Sequence, residues 1–483
     1  MPIYKRSLWK SVDWITISLY VIMITIGWVS IYDASYDIDN LRSLFPFGRP
    51  GMQLIWIGTS VVLIFMIMML DKHFFETFAY FIYGFVILLL IVTIFISPNI
   101  KGSHSWLVFS SSIRVQPAEF AKFATALALA KFMNAYDFNL LKIRNIIFSA
   151  LIVLTPMLCI VLQKEAGSAL IFLAVILVFY REGMSGYVLL ASVCAILFFI
   201  IEIKYESLIW YSTPLGEFAV TCIILALIFV VTRYVLKNTV LSNYFLGIIA
   251  LAGVLSYIVS LFYEFNLVWV TIALIVGFSL YLVLYAIKDI NKQYALLTLF
   301  ALLSVVYLYS VDYVFDNVLE PYQQQRIKVS LGMEDDPTGA GYNVNQSMIA
   351  IGSGGFSGKG FLNGTQTRLK YVPEQDTDFI YCTIGEEFGF VGSFLILLLF
   401  GILLLRLIVL SERQDTSFGR VYGYCVVSIL FFHVLVNIGM VTGLTPVIGI
   451  PLPFFSYGGS ALWGFTIFLF IFLRIDSGRK EER

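Results

Sequence analysis

Charge is what this sequence most lacks. Lys and Arg number 31, Asp and Glu 31, and together they make up 13% of 483 residues, where soluble domains carry about 25%. Most of the surface therefore faces something other than water. The two signs cancel, so the total points to no acidic partner, and no nucleic acid is expected. Histidine is scarcer still. His73, His104 and His433 are too scattered to make a metal site, and no metal ligands are assigned. Cysteine is also rare. Cys159, Cys194, Cys222, Cys382 and Cys425 lie in apolar stretches without a CxxC pair and read as small core-filling residues. No repeat of 20–50 residues is present, which excludes a solenoid. The inverted symmetry of many transporters is not visible either. No small-residue cleavage pattern follows Lys5, Arg6 and Lys10, so the first helix is expected to be retained.

Long apolar runs are what the chain has in quantity: 59% of it is hydrophobic and the mean hydropathy is +0.89. A bilayer-spanning helix needs about 20 mostly apolar residues. Candidates fall at 14–33, 52–70, 74–97, 117–134, 146–163, 167–182, 186–203, 217–236, 243–263, 266–288, 294–315, 378–410, 421–443 and 457–475. The expected fold is an all-α integral membrane protein: a polytopic helical bundle of about 14 transmembrane helices, one polytopic membrane domain over 1–483. The segments 117–134 and 167–182 are short or carry charges. Cytoplasmic loops are richer in Lys and Arg. With both termini cytoplasmic, Lys72, Lys142, Arg144, Arg181, Arg233, Lys237, Lys288, Lys292, Arg413, Arg420, Arg474 and the tail 479–483 fall inside. Arg42, Arg49, Lys101, Arg114, Lys164 and Lys204 fall outside.

One segment breaks the alternation. Residues 316–377 form the single long polar loop, expected on the exterior, yet they carry Arg326, Lys328, Lys359, Arg368 and Lys370. A loop of this length in a compact protein is usually functional. It is dense in glycine, which permits positive φ and close backbone approach. Residues 343–351 fit a short amphipathic helix. Asp336 precedes Pro337, whose ring biases it toward extended backbone. It reads either as a turn residue or as a general base whose partial desolvation at the water–lipid boundary moves it toward neutrality.

Polar groups also interrupt the apolar runs. Glu119 and Lys122 stand at i and i+3, on one helix face. A structural ion pair and the lining of a substrate cavity are the two readings. Lys164-Glu165 and Glu386-Glu387 precede Gly167 and Gly389. His433 and Asn437, at i and i+4, suit helix–helix hydrogen bonding.

These segments together resemble the SEDS (shape, elongation, division and sporulation) family. The match is strongest from Asp336-Pro337 to Gly392. It includes Gly339-Ala340-Gly341-Tyr342-Asn343, Ile349 to Gly355, Gly358-Lys359-Gly360, Gly364-Thr365-Gln366-Thr367, Tyr371 to Gln375, Thr377 to Ile380 and Glu386-Glu387-Phe388-Gly389. A second stretch runs from Asn437 through Thr445-Pro446 to Ser460, and a third joins Trp106-Leu107 to Gln116-Pro117-Ala118-Glu119-Phe120-Ala121-Lys122. Gly364 to Thr367 favours the elongation (RodA) branch over the division (FtsW) branch. The sequence departs from the family pattern at Ser105, where Arg is usual. It departs again at Lys164-Glu165-Ala166 within the usual Gln-Pro-Asp-Leu-Gly, and at Asp376, where His is usual.

The resemblance implies ten family helices plus a four-helix insertion within 204–315, and makes 316–377 a catalytic extracytoplasmic loop. It implies a peptidoglycan glycosyltransferase of the cytoplasmic (inner) membrane that polymerises lipid II in cell elongation and shape maintenance. Asp336 is then the catalytic base, and Glu119, Lys122, Arg114, Lys359, Arg326 and Gln366 are the substrate-binding candidates. The departing diphosphate needs cationic or metal stabilisation. No cofactor is certain, and a divalent cation, Mg or Mn, is the candidate helper. The implied partners are a class B penicillin-binding protein transpeptidase and the membrane proteins of an elongation complex. The rival readings are a flippase or transporter for lipid-linked precursor, and a scaffold for a transpeptidase.

Overall fold

The computed structural model describes residues 11–36, 48–100, 102–110, 114–136, 138–140, 142–210, 212–288, 290–334, 336, 339 and 341–479. The expectations for Lys5, Arg6, Lys10, Arg42, Lys101, Pro337, Lys480 and Arg483 fall outside these residues. The chain divides into two compact units, residues 1–185 with 342–483, and residues 186–341.

The first unit opens with α1 (Trp14–Ala34), α2 (Arg49–Met69) and α3 (Lys72–Ile96). Asp13 caps α1, accepting from the Thr16 amide at 3.1 Å and its hydroxyl at 2.7 Å. A two-stranded hairpin, β1 (Leu107–Val108) and β2 (Arg114–Val115), leads into α4 (Pro117–Met133), α5 (Ile143–Leu162) and α6 (Ala166–Arg181). The middle turn of α6, Ile171–Val175, tightens to a 3-10 helix. The second unit holds α7 (Gly186–Tyr205), the hairpin β3 (Ile209–Trp210) and β4 (Thr213–Pro214), and α8 (Leu215–Val235). These are followed by α9 (Thr239–Ser260), α10 (Val268–Lys288), α11 (Lys292–Asn317) and the short polar α12 (Pro321–Ser330). The chain then returns to the first unit with α13 (Tyr342–Gly354), α14 (Thr365–Arg368), α15 (Ile380–Glu412), α16 (Ser417–Val441) and α17 (Gly459–Arg479).

All fourteen apolar segments expected from sequence are helical. Among the described residues, twelve are long and apolar enough to cross a membrane, and α4 and α6 are the two that are not. Packing explains α4. Fourteen of its 17 residues are buried, and α3, α5, α16 and α17 surround it. A helix that touches no lipid has no need of lipophilic side chains, and its run of small alanines lets the neighbours close in. The peripheral helices show the converse. Phe81 and Phe95 of α3 are 73% and 81% exposed, a face that only hydrocarbon would tolerate. Each unit has its own apolar core: around α4, α16 and α17 in the first, and around Phe198, Phe245, Phe278 and Leu297 in the second.

Candidate active site

Asp336 lies in the second unit, just beyond α12. Its two carboxylate oxygens are held separately. Oδ1 accepts from the Gly339 amide and Oδ2 from Gln325 Nε2, each at 2.8 Å. The Asp336 carbonyl accepts from the Gly341 amide at 3.1 Å. This tight turn explains the glycines that follow. A Cβ on Gly339 would overlap the Asp336 carboxylate, with Cγ only 2.8 Å away, and a Cβ on Gly341 would meet the Asp336 carbonyl at 2.8 Å. A half-buried carboxylate fixed at both oxygens is what an oriented general base needs. Gln325, which supplies half of that fixing, drew no attention in sequence. It stands on a helix whose start is marked by a Glu320/Gln323 capping box, with Pro321 in the first turn. On the same helix Arg326 lies over the Tyr322 ring at 5.6 Å, and Lys328 pairs with Glu334 at 3.6 Å. That pairing sets Glu334 apart from Asp336.

The glycine-rich motifs of the first unit interlock. Helix α15 is broken at Gly389, where φ is +61° and ψ −154°. The break frees backbone groups that must find partners, and the segment 355–360 supplies them. The Lys359 and Gly360 amides donate to the Glu386 and Glu387 carbonyls at 3.1 and 2.9 Å. In return, the Phe390 and Val391 amides donate to Gly355 and Phe356 at 2.9 and 3.2 Å. Only glycine fits the crossing: a Cβ on Gly358 would stand 2.6 Å from Phe388 Cα, and one on Gly389 2.8 Å from the Phe356 carbonyl. The Glu386 side chain completes the lock. It accepts from Lys359 Nζ (2.7 Å), the Thr365 hydroxyl (3.2 Å), the Gln366 amide (2.9 Å), and the Thr367 amide and hydroxyl (2.8 Å each). The structure thus brings Lys359 and Gln366 together on one buried carboxylate.

Glu119 and Lys122 form the expected pair. Lys122 Nζ stands 2.8 Å from both Glu119 oxygens, and the two residues are 3% and 2% exposed. Lys122 also lies 2.9 Å from His433 Nε2 and 4.6 Å from the Phe465 ring centroid. His433 Nδ1 faces the Pro451 carbonyl at 3.2 Å, and Asn437 Nδ2 donates to Asp378 and Ile450 carbonyls. Arg114 is exposed at the start of β2.

The positions that depart from the family pattern have partners. Gln116 and Ser168 donate to the Glu165 carboxylate, and Ser105 also hydrogen-bonds to it. Burial nonetheless holds that carboxyl above its ordinary range, and the nearby Glu119 adds to the effect. Asp376 is 4% exposed and ion-paired to Arg49, which also lies over the Tyr457 ring. Ser105 and Glu165, two separate changes in the sequence, therefore pair with each other in the fold, and Asp376 pairs with Arg49.

The model of the FtsW, RodA and SpoVE cell cycle proteins matches residues 13–213 and 216–481. The chain belongs to that family. Among FtsW/RodA/SpoVE members, peptidoglycan glycosyltransferase RodA of Treponema pallidum is 32% identical over 412 residues, 85% of this chain and 86% of the relative. Stage V sporulation protein E of Bacillus subtilis is 26% identical over 94% of this chain and 93% of its own. Peptidoglycan glycosyltransferase MrdB of Escherichia coli is 51% identical over 145 residues, 30% of this chain and 39% of that protein. Two solved structures share the fold. One is a chain of a peptidoglycan synthase complex that coordinates polymerization and crosslinking (TM-score 0.59, 22% identity, 97% and 98% of the two chains). The other is the Rod shape determining protein RodA of Thermus thermophilus (TM-score 0.51, 21% identity, 97% of each chain).

Proposed function

We propose that this protein is a peptidoglycan glycosyltransferase that polymerises lipid II into glycan strands at the outer face of the cytoplasmic membrane. Asp336 carries the reading, as a carboxylate fixed by the Gly339 amide and Gln325 in the segment where the family motifs concentrate. The 4-hydroxyl of a GlcNAc attacks the anomeric carbon of a MurNAc. Asp336 takes the hydroxyl proton, and undecaprenyl diphosphate leaves with the electrons of the broken C–O bond. A positioned base contributes about 10²–10⁴-fold to such a step. Glu119, Lys122, Arg114, Arg326, Lys359 and Gln366 are the residues assigned to substrate binding. A divalent cation, Mg or Mn, would add charge neutralisation at the departing diphosphate.

The Lys/Arg alternation supports cytoplasmic termini and an exterior 316–377. The fold shared with a chain of a synthase complex supports a transpeptidase partner of the class B penicillin-binding type, and elongation-complex proteins beside it. The buried Glu119–Lys122–His433 group favours a second reading, a flippase, because intramembrane charges also mark transport pathways. Purified protein incubated with lipid II decides between them. Glycan chains from wild type and none from Asp336→Asn support the glycosyltransferase. Chains from Asp336→Asn at the wild-type rate refute Asp336 as the base, and no chains from wild type refute the glycosyltransferase.

A further inference from the structure

Glu386 and Glu387 are successive residues of α15, and their surroundings are opposite. Glu386 collects five donors, as described above. Glu387 is 1% exposed; the Leu362 and Gly364 amides face its carboxylate, but neither oxygen has a partner at full hydrogen-bonding geometry. The side chain facing it is another carboxylate, that of Asp33 near the end of α1. Asp33 is also 1% exposed, and both of its oxygens are likewise without a partner. Four buried carboxylate oxygens in one place are costly unless something positive joins them. Neither nearby cation does so. Lys359 is committed to Glu386 and Thr365. The exposed Arg368 acts on Asp33 only through space.

A third buried oxygen without a donor belongs to a neighbouring side chain. Gln375, 5% exposed, donates from Nε2 to the carbonyls of Ala34 (2.7 Å) and Thr367 (2.9 Å). This wedges its amide head between the end of α1, one residue past Asp33, and the 364–368 turn that caps Glu386. Its Oε1 has no donor there. The donor set is therefore two carboxylates and an amide oxygen, all hard ligands of the kind that select Mg²⁺, Mn²⁺ or Ca²⁺ over softer metals. A single shared proton would leave one net charge, faced only by the Leu362 and Gly364 amides, and the amide oxygen without a donor, whereas a divalent ion neutralises both carboxylates and uses the amide oxygen as well.

We propose that Asp33, Glu387 and Gln375 form a structural site for a divalent cation that ties the end of α1 to the interlock of 355–368 with α15. The site is independent of the glycosyltransferase reading and distinct from any ion carried by the substrate's phosphates.

The test uses the full-length protein in detergent, stripped with EDTA and titrated with Mn²⁺ alone. Bound ion is read by electron paramagnetic resonance and stability by melting. Wild type and Asp336→Asn are expected to bind one equivalent of Mn²⁺ and to gain about 5 °C in Tm at saturation. Asp33→Asn and Glu387→Gln are expected to bind at least tenfold more weakly and to gain nothing. If Glu387→Gln does not fold, Asp33→Ser, which leaves α15 intact, makes the same comparison. Two results overturn the proposal. One is a wild type that binds no Mn²⁺ and whose Tm ignores it. The other is an Asp33→Asn protein that binds Mn²⁺ like wild type, or that melts with it in EDTA while wild type gains nothing from the metal, which would identify a shared proton.

Discussion

Replacing Gly339 by Ala isolates the placement of the Asp336 carboxylate from its chemistry. The added methyl acts on one neighbour. It would stand 2.8 Å from Asp336 Cγ, and ordinary contact begins at 3.4 Å and extends to 4 Å. Oδ2 stands closer still, so the carboxylate must retreat by more than 3.4 − 2.8 = 0.6 Å before ordinary contact is restored. Moving away from the Gly339 amide and Gln325 also releases the two hydrogen bonds that orient it. A misplacement of about 1 Å typically costs about 10²-fold in rate. Gly339→Ala should therefore lower kcat for lipid II polymerisation about 100-fold. Tm should stay within about 2 °C, since the site is half-exposed and the change adds no buried polar group. The measurements are chain formation by purified protein and thermal melting of the same sample. Wild-type kcat in Gly339→Ala would show that the position of this carboxylate is irrelevant, and would remove Asp336 as base.

Asp336→Asn keeps size and hydrogen bonding but removes basicity, and should abolish polymerisation while expression stays normal. Asp335→Asn, assayed beside it, should be far milder. Lys122→Met leaves the Glu119 carboxylate buried without its cation, and should cost about 3–5 kcal/mol in denaturant unfolding; the double variant Glu119→Leu/Lys122→Met should recover most of that. Gly358→Ala forces a Cβ against α15 at a φ of +80°, and should abolish folding as judged by recovery of monodisperse protein. Glu165 is held above the ordinary carboxylate value of 4.5 by burial. Its ionisation is easier in the unfolded chain, so native stability falls as pH rises from about 4.5 through the native pKa. Glu165→Gln should flatten that slope and melt higher than wild type at pH 7.

The spans were legible because a bilayer imposes a length and a polarity that a sequence cannot disguise. Their ends were less so. The ninth helix starts at Thr239, four residues before the apolar run at 243, because Asn238 caps it through the Leu241 amide. Helix α12 was missed as an element, although Glu320, Pro321 and Gln323 together make a helix start that a closer reading would have used. Helix α4 looked weak for a reason that only packing supplies: a central helix is selected for fit against neighbours, and hydropathy measures affinity for lipid.

The candidate site divides along the same line between local and non-local physics. The turn at Asp336 is encoded within six residues, and the glycines at 339 and 341 announce close approach. Glu119 and Lys122 meet because helical spacing requires it. The crossing of 355–360 through the break at Gly389 is different. Gly358 and Gly389 each signal that a backbone comes near, and nothing in either motif says that they come near each other. Glu386 and Glu387 show the limit most sharply. Two identical neighbours in sequence differ by 100° around the helix axis, so one faces a turn rich in donors and the other faces a carboxylate from residue 33. Which glutamate would be satisfied depends on a partner 354 positions away. Asp33 is a single acid in an otherwise apolar helix, and nothing in the sequence around it names Glu387 as its neighbour. Its cost within α1 goes unanswered by any group of that helix, and so the answer has to come from outside it.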